Sequence, residues 1–232
     1  RFGEDTDHKL TVDFQFAEDT EDGFTFLNED YITTNQINPI PIQLEQEFTT
    51  EDQVEFLLQA DYVLPLGEDS RFEAGFRSNL QNEITDYRLE QENTTNGNLE
   101  VNDIFTNIFD YDENVNAIYT QYGTKLNKFS FLLGLRLEHT QLKGKINSRL
   151  TEEELANAFD FPIDTDFDNN YLGLFPTVNL IYNLNGTDSD NEESITLGYN
   201  RRINRPRGWF VNPFPSRNSR TNIFQGNPSL EP

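Results

Sequence analysis

The 232 residues carry 41 acidic against 17 basic side chains, a formal net charge of −24, and 35% of them are hydrophobic. That balance disfavours nucleic acid as a partner; the absence of cysteine excludes a disulfide framework and a thiolate metal site. Mean hydropathy is −0.70 and no run approaches the roughly 18 apolar residues of a spanning helix, but a membrane wall built of strands, each half polar, is not excluded.

Taken in order, alternation over about 8–18 puts Leu10, Val12, Phe14 and Phe16 on one side and Lys9, Thr11, Asp13 and Gln15 on the other, because successive strand side chains face opposite ways. A long acidic connector holding Gly23, Pro39 and Pro41 follows. The second strand, about 53–64, sets Val54, Phe56, Leu58, Ala60, Tyr62 and Leu64 against Glu55, Gln59 and Asp61. After a short turn near 65–70, a third strand, about 71–88, sets Phe72, Ala74, Phe76 and Leu80 against Glu73, Arg77, Asn79 and Gln81.

A second long connector leads to a hairpin with strands about 113–125 and 129–143. Its second strand alternates Phe129, Phe131, Leu133, Leu135 and Leu137 with Ser130, Leu132, Gly134, Arg136 and Glu138. Its first does so more weakly, Val115, Ala117 and Tyr119 against Asn114, Asn116 and Thr120. Sharing one apolar face places Lys125 opposite Phe129 and leaves a three-residue loop, 126–128; a slip of one residue would reverse every side chain. Within the third connector, 145–169, TEEELANAF predicts one or two helical turns capped by Thr151. A sixth strand, about 171–184, presents Leu172, Leu174, Val178, Leu180, Tyr182 and Leu184, with Pro176 predicting a bulge or loosened pairing. NGTDSDNEE is a turn, and a seventh strand, about 194–205, turns Ile195, Leu197 and Tyr199 outward.

Alternation over ten or more residues outruns the ~5–6 of soluble strands and suits the roughly nine to eleven of a tilted bilayer-crossing strand. Connectors alternate long and short, as in outer-membrane barrels. The long ones gather acids, ten in 17–52, seven in 88–113 and seven in 144–170, which predicts exposed loops there. Tyr62, Phe72, Phe129 and Tyr182 lie beside the short turns as an interfacial girdle requires. The expected class is all-β, an antiparallel transmembrane barrel wall. Seven strands cannot enclose a wide pore, so the expectation is one domain, 1–232, forming part of a larger barrel.

The final forty residues are the most specific. Tyr199, Arg201, Arg202, Ile203, Asn204, Arg205 and Pro206 form a YxRRINRP run, followed by Trp209 with Asn212, Pro213 and Phe214. Gly226, Asn227, Pro228, Leu230, Glu231 and Pro232 close the chain. Together with 61–77, 114–140 and 174–184, these stretches resemble the outer-membrane β-barrel region of TonB-dependent receptors, particularly the branch abundant in Bacteroidota. The resemblance covers nearly the whole chain, least well at 18–52. It implies a 22-stranded barrel in the outer membrane of a Gram-negative bacterium, surrounded by lipid and lipopolysaccharide. It further implies active uptake of a large or scarce nutrient, an N-terminal plug outside these residues, and energy from the TonB–ExbB–ExbD complex. Some relatives carry a surface lipoprotein lid.

No catalytic constellation, phosphate loop or cofactor motif is present, so the expectation is neither an enzyme nor a cofactor protein. Asp164, Asp166, Asp168 and Asn170 have the spacing that opens a calcium loop, but Asn169 and Phe175 occupy the positions of its glycine and glutamate; no metal site is assigned. Arg201, Arg202, Arg205, Arg207, Arg217 and Arg220 invert the local charge. They suit carboxylate or phosphate ligands, lipopolysaccharide included, and equally suit pairing with neighbouring acids, which is the preferred reading. Inward Glu73, Arg77, Arg136 and Glu138 either line a substrate path or, as preferred, form an ion-pair ladder on the wall. The competing functions are a passive channel or adhesin on a similar barrel, and a soluble β-sandwich carbohydrate-binding module.

Overall fold

The computed structural model describes residues 7–27, 44–184, 193–217 and 222–230. Pro39, Pro41, Arg220, Glu231, Pro232 and nearly all of the turn at 185–193 lie outside the described residues. The elements are β1 (Lys9–Leu27), β2 (Glu45–Pro65), β3 (Ser70–Glu92), β4 (Leu99–Val101), β5 (Asn107–Leu126), β6 (Phe129–Ser148) and α1 (Glu152–Phe159), then β7 (Asp166–Asn183), β8 (Ser194–Asn200), α2 (Gly208–Val211), β9 (Ser216–Arg217) and β10 (Ile223–Phe224). One antiparallel sheet runs β1-β2-β3-β5-β6-β7-β8, with β4 beside β3; β9 and β10 form a separate pair.

The long strands reach 18 to 23 residues, well past the expected ends. Eight of the ten acids in 17–52, namely Glu18, Asp19, Glu21, Asp22, Glu45, Glu47, Glu51 and Asp52, therefore sit on paired strands rather than in a loop. Local cross-strand contacts carry the ladder upward: Thr20 donates to Asp52 at 2.7 Å and Thr50 to Asp22 at 2.8 Å. Above them Phe24 meets Phe48 at 5.1 Å, and Arg88 lies over the Phe48 ring at 4.4 Å. Such pairs contribute about 0.2–1 kcal/mol each and need no apolar alternation to form.

One face is exposed and apolar. Leu10 to Phe16, Phe56, Leu58, Phe76, Ile118, Leu174, Leu180 and Leu197 all open onto it, and Leu133 and Leu135 are each 45% exposed. Among the described residues no helix or second sheet covers it. On β6 the belt runs from Phe129 to Leu137; above it come His139, Gln141, Lys143 and Lys145. The apolar length matches a bilayer crossing, and the aromatic pair Phe129–Tyr182, 4.7 Å between ring centres, marks its lower edge.

The hairpin between β5 and β6 differs from the sequence expectation by one residue. Leu126, not Lys125, stands opposite Phe129, so the loop is Asn127–Lys128, with Asn127 at φ 52°. The slip turns Val115, Ala117 and Tyr119 inward and gives the outer face to Ile118, Thr120 and Tyr122. The cause is that the inner face is not uniformly wet: Val115 and Ala117 are buried there.

Pro176 makes no bulge, since it pairs one-to-one with Leu135 inside an unbroken β6–β7 ladder. Its carbonyl accepts from Arg201 on the β8 side at 3.2 Å. In an antiparallel ladder a residue's N–H and C=O point to the same neighbour, so the missing N–H is missing toward β8. The β7–β8 ladder ends at Thr177–Asn200, one residue short of Pro176. The seventh strand therefore stops at Asn200, not near 205, and the chain turns inward.

Inside, a second layer covers the end of the sheet that carries the long connectors. Phe109, Tyr111, Leu142 and Ile146 from β5 and β6 pack with Leu155 of α1, Ile163, Val211 of α2 and Phe214. Each such side chain, fully buried, contributes roughly 1.5–3 kcal/mol. α1 is held by a capping box, with Thr151 accepting from the Glu154 N–H while the Glu154 carboxylate accepts from the Thr151 N–H.

Candidate functional site

The inner wall below that layer is organised in register rows. Asp61, Gly75, Tyr119, Arg136 and Phe175 face one another across five strands. Gly75 has no side chain, so the Tyr119 ring lies over it and its hydroxyl donates to Asp61 two strands away. Gln59 donates to the other Asp61 oxygen at 2.7 Å. The Arg136 guanidinium stands 5.8 Å from the Tyr119 ring centre.

The next row is Gln59, Arg77, Ala117, Glu138 and Gly173. Glu138, 2% exposed, takes both Arg136 donors on one oxygen, Nε at 2.9 Å and Nη2 at 2.6 Å. Its other oxygen accepts from Arg205, whose Nε also reaches Thr140 at 3.4 Å. One row toward the short turns, Glu73 pairs with Arg71 at 2.5 Å and accepts from Gln121 at 2.9 Å. Arg77 has no ion-pair partner among the described residues.

The segment after β8 crosses this wall. Arg201 lies over Phe175 at 5.8 Å, Arg202 is exposed beside Ile203 at a recess reaching Glu138 and Tyr171, and Asn204 is exposed. Beyond Pro206, Gly208 sits against Tyr111, and Val211 and Phe214 enter the apolar layer. The two halves of the terminal motif meet. The Gly226 N–H donates to the Asn212 carbonyl and the Asn227 N–H to the Phe210 carbonyl, both at 2.8 Å. A β-carbon on Gly226 would come within 2.6 Å of the Phe210 carbonyl, so only glycine fits. Asn212 caps the Phe214 N–H at 2.9 Å, the Gln225 side chain donates to the Pro213 carbonyl at 3.0 Å, and Asn169 donates to the Pro228 carbonyl. Arg217 closes the fold on Glu45 through two contacts, 3.2 and 3.3 Å, with side chains 5% and 2% exposed.

Glu73, Arg77, Arg136, Glu138, Arg201 and Arg205 thus share one inner surface, while Asn212–Phe214 and Gly226–Pro228 build the fold-back above it. Asp168 is engaged by Gln141, Asn170 and Lys143. Sequence reasoning put Asp61 on the polar face without singling it out, missed Glu45, and placed Tyr119 on the wrong face. A glycine inside a strand signals close approach by a neighbour, and Gly75 was that signal.

The model of the outer membrane protein beta-barrel family matches residues 1–232. No curated protein matches the chain. Among solved structures, the ferric citrate transporter FecA in its unliganded form is similar, at 16% identity and a TM-score of 0.47, over 81% of this chain and 24% of that one. The chain spans about a quarter of that transporter's length.

Proposed function

The chain belongs to the outer membrane protein beta-barrel family, and on that footing we propose that it is wall from a TonB-dependent transporter that takes up a large or scarce nutrient. Its place is the bacterial outer membrane, which removes the soluble sugar-binding module. The observation that carries the transporter reading is the second layer on the inner face: α1, α2 and the 208–215 stretch pack against β5 and β6. Small closed barrels are filled by their own side chains, whereas 22-stranded transporters have a lumen wide enough to be plugged. A wall that accommodates helices inside belongs with the wide kind. The terminal motif, Asn212–Phe214 bound to Gly226–Pro228, supports the same reading.

In this reading the strands form a rigid wall, the polar rows face the nutrient's route, and a plug supplied elsewhere in the protein couples to TonB–ExbB–ExbD. Lipopolysaccharide surrounds the belt, and a surface lipoprotein is a natural partner for the mouth. No covalent chemistry is assigned to it. The test uses the full-length protein in liposomes and in cells. A plugged transporter leaves small sugars impermeant in a swelling assay, and its nutrient accumulation in cells stops when a protonophore collapses the membrane potential. Free swelling, with uptake indifferent to the protonophore, identifies a passive channel instead.

A further inference from the structure

Three carboxylates on the inner wall around Arg77 are engaged by other donors. Asp61 receives Gln59 and the Tyr119 hydroxyl. Glu73 receives Arg71 and Gln121. Glu138 is shared by Arg136 and Arg205. Arg77 itself has no such partner among the described residues, although the chain holds more than twice as many acids as bases.

Arg205 stands within electrostatic reach of the Glu113 carboxylate and of both Arg136 and Arg77. Like charges so placed repel, and an anion bridging them relieves the repulsion. A shallow recess opens at this point, lined by Gln59, Arg77, Tyr119, Arg136 and Phe175 and by Glu73, whose carboxylate is held by Arg71 and Gln121. It offers guanidinium forks, which match carboxylate and phosphate geometry, beside two aromatic rings. Gly75 leaves room for the Tyr119 ring, whose hydroxyl donates to Asp61.

We propose that this recess is a lumenal subsite for an anionic solute bearing a carboxylate or phosphate, with Arg77 as its primary contact and Arg136 and Arg205 completing the positive field. The assignment rests on the transporter reading and narrows its nutrient to an anion.

Titration calorimetry on the full-length protein in detergent, at low ionic strength, tests it with citrate and inorganic pyrophosphate as probes. At least one probe binds the unaltered protein, more weakly as salt is added. Arg77→Gln weakens binding at least tenfold, Arg77→Lys less, and Lys125→Gln near the turn leaves it unchanged. Heat-shifted mobility on gels verifies that each variant is a folded barrel. Failure of both probes to bind, as when a plug carboxylate already occupies Arg77, overturns the proposal. So does unchanged binding by folded Arg77→Gln. Binding in detergent needs no energy source, so failure of this assignment is distinguishable from failure of the transporter reading in the protonophore experiment.

Discussion

At the scale of single residues, the wall depends on glycines that make room for rings. A β-carbon on Gly75 would come within 2.4 Å of the Tyr119 ring carbons, so Gly75→Ala pushes the ring off Asp61. The expected cost is about 1–3 kcal/mol, as for other overpacked sites, read from urea unfolding of the refolded barrel. Tyr119→Phe removes only the hydroxyl and leaves Asp61 its Gln59 donor, so it costs less, about 0.5–1.5 kcal/mol. A second residue-scale prediction concerns Glu154. Hydrogen bonds from the Thr151 backbone and side chain hold its carboxyl below the ordinary carboxylate range. A depressed folded-state value means the cap's contribution is full above the unfolded value and fades as pH falls through the folded one. Amide exchange in α1, compared on a common intrinsic-rate scale, therefore loses protection in acid, and Thr151→Ala, costing about 1 kcal/mol, reproduces that loss at neutral pH.

At the scale of elements, the hairpin of β5 and β6 decides which face meets lipid. Charge at Leu133 or Ile118, both exposed in the belt, should destabilise the inserted barrel by roughly 2–4 kcal/mol, whereas charge at Ser130 on the inner face is mild. Folding into vesicles with each arginine variant measures the difference; equal tolerance at Leu133 and Ser130 refutes the face assignment. Asn127 takes the left-handed backbone of the turn, so Asn127→Gly is neutral and Asn127→Val costs about 1–2 kcal/mol in the same assay. The strand of Phe129 to Leu137 was legible because its alternation is strict. The partner strand was not, because Val115, Ala117 and Tyr119 look lipid-facing yet pack inside, and a period of two cannot distinguish a lipid-facing apolar side from a buried one. Strand ends were illegible for a related reason: above the belt, pairing rests on contacts such as Thr20 with Asp52, which leave no hydropathy trace. The ion pairs of Glu138 could be anticipated only on the Arg136 side, since Arg205 arrives through a chain reversal that begins where Pro176 lacks its N–H.

At the scale of the whole molecule, the fold-back after β8 is fastened at its two ends, by Arg205 on Glu138 and by Arg217 on Glu45. Arg217→Ala leaves Glu45 buried with Gln91 still donating to it at 2.6 Å, so the cost falls toward the lower end of the 3–5 kcal/mol typical of a broken buried pair. Phe214→Ala, which empties the centre of the inner layer, costs about 3–5 kcal/mol. Both should raise amide exchange across 208–215 while β6 stays protected; uniform loosening of the sheet would show that the layer and the wall are one cooperative unit.

The wall is taller than a bilayer requires. The 23 residues of β3 at about 3.3 Å each run roughly 75 Å, or about 55–60 Å upright at a tilt near 40°, against a hydrocarbon band of about 25 Å. The upper half, on the side that carries the long connectors, stands as a parapet clear of the acyl chains. Lys143 and Lys145 are exposed there, so an impermeant amine reagent added to intact bacteria should modify them, as it would any surface antigen.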